Sequence, residues 1–385
     1  MIHIEDKADC CGCTACEAIC GHDAITMSRD DQGFVYPVVD ESRCVGCSLC
    51  DRVCPMITPP APACKEWEQR YYGMRLRDSE ALGRSQSGGA FQALARAMVE
   101  RGGVVYGVAF GSDLSVRHVR VDDMDALPAL YGSKYVQSDM DGIYRDVISD
   151  LREGREVLFS GVGCQVAGLV SLCRLRRVDT SRLLTVDLIC FGVPGPGYWS
   201  DYLASLRRKY GEPVRLFFFR DKAANGWSSS QSSFVLESGR RIVPKRNFYY
   251  QILFRRSCSR CPFKGFERCS DITVGDFWGI GDIRPDWKAD DRGVSLVLVN
   301  TPAGAKAFDS VKDEFEYFST DREGCIQEQL TVAEPLHPWK DRWERKYASG
   351  GFWKATRSLD VLIDHGPLVS LMFRIKNKLR NMFGR

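Results

Sequence analysis

Two cysteine runs of identical spacing constrain this chain more than any other feature. Cys10, Cys13, Cys16 and Cys20 form the first run, and Cys44, Cys47, Cys50 and Cys54, followed by Pro55, form the second. Each reads C-x-x-C-x-x-C-x-x-x-C, the spacing with which bacterial ferredoxins hold two 4Fe–4S clusters. A tight loop aims three thiolates of a run at one cubane, and the fourth reaches the other. One cluster then takes Cys10, Cys13, Cys16 and Cys54, and the other takes Cys44, Cys47, Cys50 and Cys20. The implied chemistry is one-electron transfer at low potential. Structural zinc draws its four ligands from two separated knuckles, and disulfide frameworks belong to small secreted domains. Two complete four-cysteine runs in a chain without a visible signal peptide fit neither. Gly21 stands where ferredoxins usually carry proline after the fourth cysteine; it loosens the loop and removes no ligand. Cys11 and Cys64 fall outside the spacing and read as spare.

The 385 residues suffice for two or three domains. Seventeen cysteines point to a reducing compartment and to metal, hence to the cytoplasm. No apolar stretch approaches the roughly 20 residues that span a bilayer. The net charge of +3 hides an asymmetry: residues 1–60 carry ten acidic and four basic side chains. An acidic ferredoxin face suits a basic redox partner, or is simply a solvated surface. Basic residues elsewhere are dispersed and show no aromatic-basic repeat, which argues against nucleic acid.

The pattern predicts a ferredoxin-like module over residues 1–57, with a strand at Phe34–Val39, then a proline-rich linker over 58–69. An α/β body follows, in two parts, 70–155 and 156–345. In it, Ala90–Glu100 reads as a helix with Phe91, Leu94, Ala95 and Met98 on one face, ended by Gly102-Gly103. Val104–Phe110 reads as a buried strand. Then come a helix at Ile143–Glu153, a strand at Glu156–Ser160, a turn at Gly161–Gly163, a helix at Cys164–Cys173 and a strand at Leu183–Ile189. Alternation of helix and strand with short turns argues an α/β core within an overall α+β chain. Arg215–Arg220, Gln231–Glu237 and Ser295–Asn300 read as further strands. Residues 346–385 read as a basic tail, with a helix over Leu368–Arg385 that mixes Leu371, Met372, Ile375, Leu379 and Met382 with five cations. Such a helix either packs on the body or lies on an anionic membrane at the inner face.

The body has scattered cysteines of its own. Cys164 follows a strand in Gly161-Val162-Gly163-Cys164-Gln165, Cys190 ends another before Gly192-Val193-Pro194, and Cys258-x-x-Cys261 forms a knuckle, with Cys269 eight residues on. From spacing alone, a third cubane, a redox disulfide and half a zinc site all remain open. Cys173 and Cys325 read as buried structural cysteines.

Taken in order, Ser87-Gly88-Gly89, Gly132-Ser133-Lys134-Tyr135, the Cys164-Gln165 turn, Cys190 with Gly192-Val193-Pro194, and Cys258-x-x-Cys261 followed by Asp271-Ile272-Thr273-Val274-Gly275-Asp276 resemble the beta subunits of the deazaflavin-dependent (coenzyme F-420) hydrogenases and dehydrogenases. That family also includes iron–sulfur flavoproteins of bacterial polysaccharide synthesis and the 7-hydroxymethyl chlorophyll a reductases. The resemblance covers roughly residues 70–340. The ferredoxin module and Asp276-Phe277-Trp278-Gly279 look most like the polysaccharide-associated branch. The resemblance implies FAD and one 4Fe–4S cluster in the body, with Cys164, Cys190, Cys258 and Cys261 as ligands and Cys269 as a substitute. Val162-Gly163 replaces the family's Thr-Pro before the cysteine, a departure that removes a hydroxyl.

On its residues alone, Gly88-Gly89 reads as a helix cap with close packing. With the resemblance, Ser87, Gly88 and Gly89 read as a phosphate cradle at a helix N-terminus, and Ser133, Lys134 and Tyr135 as a hydroxyl, a cation and a ring for the flavin. Arg220-Asp221-Lys222, Asn225-Gly226-Trp227 and Asp276-Phe277-Trp278 read either as walls of a substrate pocket or as turns under a sheet. The five histidines form no recognisable set. The expected protein is an FAD- and 4Fe–4S-dependent oxidoreductase with three clusters that reduces a small organic substrate. Its electrons come from ferredoxin, reduced deazaflavin or a partner oxidoreductase. The alternative is an electron-transfer adaptor that feeds a partner enzyme.

Overall fold

The structure, a computed structural model, describes residues 1–63, 67–245 and 247–359. Cys64 and the helix expected at Leu368–Arg385 lie outside the described residues.

The two cysteine runs fold alike. In each, the residue before the third cysteine-bearing turn takes a left-handed backbone: Thr14 at φ 69° and Ser48 at φ 55°. Each then opens a single-turn helix, Ala15–Ile19 or Leu49–Val53, whose C-cap is the fourth cysteine, Cys20 or Cys54. The cap N–H of Cys20 reaches Glu17 O at 3.1 Å, and that of Cys54 reaches Asp51 O at 3.3 Å. Between the runs an antiparallel ribbon forms from β1 (Ile25–Arg29) and β2 (Val35–Val39).

The body is built on one mixed eight-stranded sheet. Its strands are β3 (Arg70–Leu76), β4 (Val104–Phe110), β5 (Val116–Val121), β6 (Val157–Val162), β7 (Leu183–Leu188), β11 (Ile272–Asp276), β12 (Ser295–Val299) and β13 (Phe315–Thr320), in spatial order β13-β3-β12-β11-β7-β6-β4-β5. The centre, β4, β6, β7 and β11, is parallel, and both margins pair antiparallel. Ser295–Val299 is buried along its whole length, as a strand covered on both faces must be. A smaller antiparallel sheet joins β8 (Val214–Phe218), β9 (Ser233–Leu236) and β10 (Arg241–Ile242). Strands from both sides of residue 155 thus share one sheet, and the helical segment Lys340–Leu359, broken by a kink at Gly350-Gly351, runs across residue 345.

The helix Ala90–Glu100 and the strand Val104–Phe110 form as the pattern predicts. The turn expected at Gly161–Gly163 does not: β6 continues to Val162, and Gly163 opens the helix Gly163–Arg176 directly. Gln165 makes this abrupt change possible. Its side-chain oxygen accepts the Val162 N–H at 3.1 Å, the backward-reaching half of a capping box at a helix start.

The ferredoxin module shares a core with the body. Cys13, Cys16, Ile19 and Cys54 pack in one apolar cluster with Tyr106, Phe159, Val166 and Leu169. Gly168 permits this contact: a Cβ there would stand 2.8 Å from the Tyr144 hydroxyl and 3.1 Å from Cys13 Sγ. Arg176 clamps the joint, donating to the carbonyls of Ala18 and Ile19, both at 3.1 Å. No described helix is long and apolar enough to cross a membrane.

Candidate cluster sites and flavin cavity

In the far half of the ferredoxin module, Cys20, Cys44, Cys47 and Cys50 line one small cavity. Two backbone N–H groups already point at its sulfurs: Ile2 to Cys50 Sγ at 3.3 Å and Ala24 to Cys20 Sγ at 3.4 Å. In the near half, Cys10, Cys16 and Cys54 feel one another electrostatically, and Cys13 feels Cys16. Each group joins three cysteines of one run with the fourth of the other.

The body brings together the four scattered cysteines. Cys164 faces Cys190 and Cys261, and Cys190 faces Cys258 and Cys261. Burial raises Cys190 to about 12 and Cys258 to about 11. Such thiols ionise once cations receive the charge, which is what iron does. Cations already surround them: Lys264 near Cys190 and Cys261, Arg268 near Cys261, and Arg255 and Lys340 near Cys258. Among the described residues no three ligating side chains meet at the spacing of a single ion. Cys269 instead faces Asp187, Arg268 and Asp271. Cys173 and Cys325 are buried in apolar clusters.

Cys11 was unmarked by any spacing. It is buried, and its thiol interacts with those of Cys13 and Cys164, one from each neighbouring set. No sequence signal distinguishes it, because the contact joins residues far apart in the chain.

A cavity of about 470 Å³ adjoins the body cysteines, and Cys164 and Cys190 form part of its wall. It lies at the carboxyl ends of the parallel strands, touching Val108, Ser160, Leu188 and Val274, where open α/β sheets offer their ligand crevices. Ser87, Gly89, Ser133, Lys134 and Tyr135 all line it. Gly88 plays another part. Its N–H is committed to Ser295 Oγ at 2.9 Å, and a Cβ there would stand 2.0 Å from Met74 O. Gly88 therefore serves close packing against β3 and β12, a correction to its expected place in a phosphate cradle. The Ser87 hydroxyl is likewise taken, donating to Val294 O at 2.7 Å. Gly89, at φ 91°, caps the helix Ala90–Glu100 and leaves that helix end open to the cavity.

Lys134 donates to the carbonyls of Ala129 at 2.9 Å and Tyr131 at 2.8 Å, which leaves one N–H. Burial lowers its pKa to about 7. The Tyr135 ring lies tilted against that of Tyr249, with ring centres 4.4 Å apart. Beside Tyr135, Arg220 pairs with Asp276 and lies over the Trp278 ring at 4.8 Å. Trp227 donates to Asp276 at 2.6 Å and stacks on Trp278 at 5.2 Å. The charge of Arg220 is thus largely spent on Asp276.

One histidine supports the cavity wall without forming a set with the others. His118 is buried, its ring nitrogens bonded to Ser160 O at 3.0 Å and Ser138 Oγ at 2.9 Å, and Gln165 Nε2 donates to the same hydroxyl at 3.0 Å. Burial lowers His118 to about 4, so it stays neutral and fixes Ser138 and Gln165 behind the cavity.

Two polar atoms in the cavity wall have no partner: Gln86 Nε2 and Gln92 Oε1. Gln92 is 92% buried, being 8% exposed. Buried orphans are costly unless a ligand satisfies them. The residues present fit a large, polar, partly aromatic cofactor such as FAD.

Cluster-binding loops joined to a mixed α/β body define an iron–sulfur electron-transfer protein. Residues 9–57 match the 4Fe-4S dicluster domain, and residues 154–322 match the family described as the C terminus of the Coenzyme F420 hydrogenase/dehydrogenase beta subunit. The likeness to that beta-subunit family is carried by residues 154–322. A chain of the F420-reducing NiFe hydrogenase complex from Methanosarcina barkeri is 18% identical, with a TM-score of 0.45, over 75% of this chain and 90% of that one. No curated protein matches the chain.

Proposed function

We propose that this chain is an oxidoreductase with FAD in the large cavity and three 4Fe–4S clusters, held by Cys10, Cys13, Cys16 and Cys54, by Cys44, Cys47, Cys50 and Cys20, and by Cys164, Cys190, Cys258 and Cys261. One observation carries the reading. The cavity wall holds two of the body cysteines, Cys164 and Cys190, and two orphaned buried amides, Gln86 and Gln92. A flavin in contact with cluster ligands exchanges single electrons with iron and electron pairs with an organic molecule.

The protein's own residues bind and orient. The open helix end at Gly89 and the free N–H of Lys134 favour a phosphate. Gln86 and Gln92 read hydrogen-bonding edges. Tyr135, Tyr249 and Trp278 supply flat apolar faces, and the Arg220–Asp276 pair holds the Trp278 wall in place. A redox partner delivers electrons to the ferredoxin module, and a small organic substrate takes them at the cavity. Of the classes that the family resemblance brings, reduced deazaflavin is a donor and a sugar-linked compound an acceptor.

The test is anaerobic purification, with flavin, iron and sulfide measured on one sample. The expected result is one FAD and about twelve irons per chain, from the stoichiometry of three cubanes. About eight irons would remove the body cluster, and zinc without visible absorption would remove the whole reading. Reduction trials with ferredoxin, NAD(P)H and reduced deazaflavin then name the donor. A flavin that is reduced but passes electrons to no small molecule, only to a partner protein, would make the chain an adaptor.

A further inference from the structure

Arg255 is among the largest fully buried side chains of the molecule, 1% exposed. It sits three residues before Cys258, in the loop that leads into the body knuckle. Its main chain belongs to the body: its N–H donates to Val193 O at 2.9 Å, and its carbonyl accepts the Cys258 N–H at 3.1 Å. Its side chain belongs to the ferredoxin module. Nε donates to Cys10 O at 2.7 Å, and Nη2 donates to Val35 O at 2.8 Å and points at Cys10 Sγ from 3.5 Å. Nη1 donates to Gln137 Oε1 at 3.0 Å. The rings of Phe34 and Tyr36 lie 5.1 and 4.4 Å from the guanidinium carbon.

A buried guanidinium is normally matched by a carboxylate, because an unpaired buried charge is expensive. Among the described residues no carboxylate pairs with Arg255. Its ionisable neighbours are Tyr36 and the thiols of Cys10, Cys11 and Cys258. Cys10 belongs to the near ferredoxin set and Cys258 to the body set. A four-iron core with four thiolates carries net negative charge, and reduction adds one more. The cation and the clusters complete each other.

We propose that Arg255 is the counter-ion of the near ferredoxin cluster, shared with the body cluster, and that it holds the near cluster's potential up. This rests on the cluster assignment proposed above. Hydrogen bonds to cluster sulfurs and nearby positive charge favour the reduced, more negative state. The near cluster is buried, which by itself disfavours added negative charge. Arg255 offsets that penalty and keeps the cluster reducible beside the body. The far cluster, with Cys47 exposed, has no buried guanidinium in its wall; the cation there is the Met1 ammonium, which is exposed and already paired with Asp51 at 2.9 Å. Arg255 is therefore a positioning and tuning residue, not a ligand.

The test is a reductive titration of the whole reconstituted chain, followed by electron paramagnetic resonance, with Arg255→Met and Arg255→Lys. A Cys47→Ser background marks the far cluster's signal. At the potential where the wild-type near cluster is half reduced, Arg255→Met lowers its reduced-to-oxidised ratio about tenfold, which is about 59 mV for one electron. The far cluster's midpoint stays put. Arg255→Lys keeps the charge but loses the fork, and shifts the near cluster less, in the same direction. A near cluster at its wild-type midpoint in Arg255→Met with full iron overturns the proposal, as does an equal shift of both clusters. If Arg255→Met takes up too little iron to titrate, Arg255→Lys decides, and an unmoved near midpoint there overturns it. A wild-type chain that takes up no iron overturns the cluster assignment itself, and is told apart by the iron analysis on the same samples.

Discussion

The two cysteine runs share a spacing, a backbone path and a capping pattern, yet they sit in opposite surroundings. Cys10, Cys13 and Cys16 are buried against the body, whereas Cys47 is exposed and Cys44 half-buried. Around the near run stand Arg255, Tyr144 and the helix Gly163–Arg176; around the far run stand the exposed Val45 and the N-terminal ammonium, bound to Asp51 at 2.9 Å. The same motif thus serves as a junction at one end and as a contact with solvent at the other. What separates them is packing, so roles in an electron path cannot be assigned from ligand spacing alone.

The largest expected effect breaks this comparison outright. Cys16→Ser removes a buried cysteine of the near set, and Cys47→Ser an exposed cysteine of the far set. If the near cluster is the junction, Cys16→Ser abolishes reduction of the body cofactor through the ferredoxin module. It also destabilises the fold, because Cys16 is part of the core shared with the body. Cys47→Ser should leave the melting temperature close to wild type and slow only delivery from an external protein donor. Stopped-flow absorbance with a reduced ferredoxin, beside thermal melts, reads both. Equal slowing in the two variants would mean that the halves are equivalent.

A gentler variant keeps every ligand and disturbs the junction. Gly168→Ala puts a methyl group against the Tyr144 hydroxyl and Cys13 Sγ. Overpacking of this kind costs about 1–3 kcal/mol. The near cluster and the body should separate slightly, with slower transfer between them and unchanged iron. Denaturant melts and transfer rates on one preparation check this; wild-type values in both would show that the ferredoxin module is free to yield at Cys13.

How much of this was legible in the sequence depends on how local each feature is. Ferredoxin ligands lie within a few residues of one another, so their spacing carries the geometry. The helix Ala90–Glu100 and strand Val104–Phe110 were readable because apolar period and bounding glycines agree. The body cysteines come from the ends of β6 and β7 and from a distant knuckle, and only the sheet order β11-β7-β6 brings them together. Family resemblance pointed to them where spacing was silent. Strand β3 was missed because Arg70, Arg75 and two tyrosines break its apolar pattern. The fate of Gly88 hinges on Ser295, 207 residues away. Cys11 and Arg255 gain their meaning from the docking of two modules, which no local pattern records.

A third, smaller effect tests what the near cluster is joined to. Gln92→Leu replaces an orphaned buried amide by an apolar side chain of similar size. Without ligand, the variant should be more stable than wild type by about 1 kcal/mol, since an unsatisfied polar group is removed. With ligand, it should lose about tenfold in flavin affinity, the equivalent of one hydrogen bond. Opposite signs in the two states are the signature. Thermal melts of flavin-free and flavin-loaded protein measure them, and a change of the same sign in both would assign Gln92 to packing alone.

The smallest effect is a pH dependence confined to the cavity. Burial lowers Lys134 to about 7, so its ammonium is present below neutrality and fades above it. A bound phosphate favours the ammonium, so binding takes up a proton near pH 7, and affinity falls as pH rises through that value. Because Lys134 is half-buried and two of its N–H groups serve Ala129 and Tyr131, the change between pH 6 and 8 should be modest, about threefold. Lys134→Met should flatten the profile while leaving the helix end at Gly89 to hold the anion. Flavin binding measured by fluorescence quenching across this range, on both proteins, gives the comparison. A wild-type profile as flat as that of Lys134→Met would place the phosphate away from Lys134. The ferredoxin halves supply an internal control, since neither titrates with Lys134 and their cluster absorbance should not follow the curve.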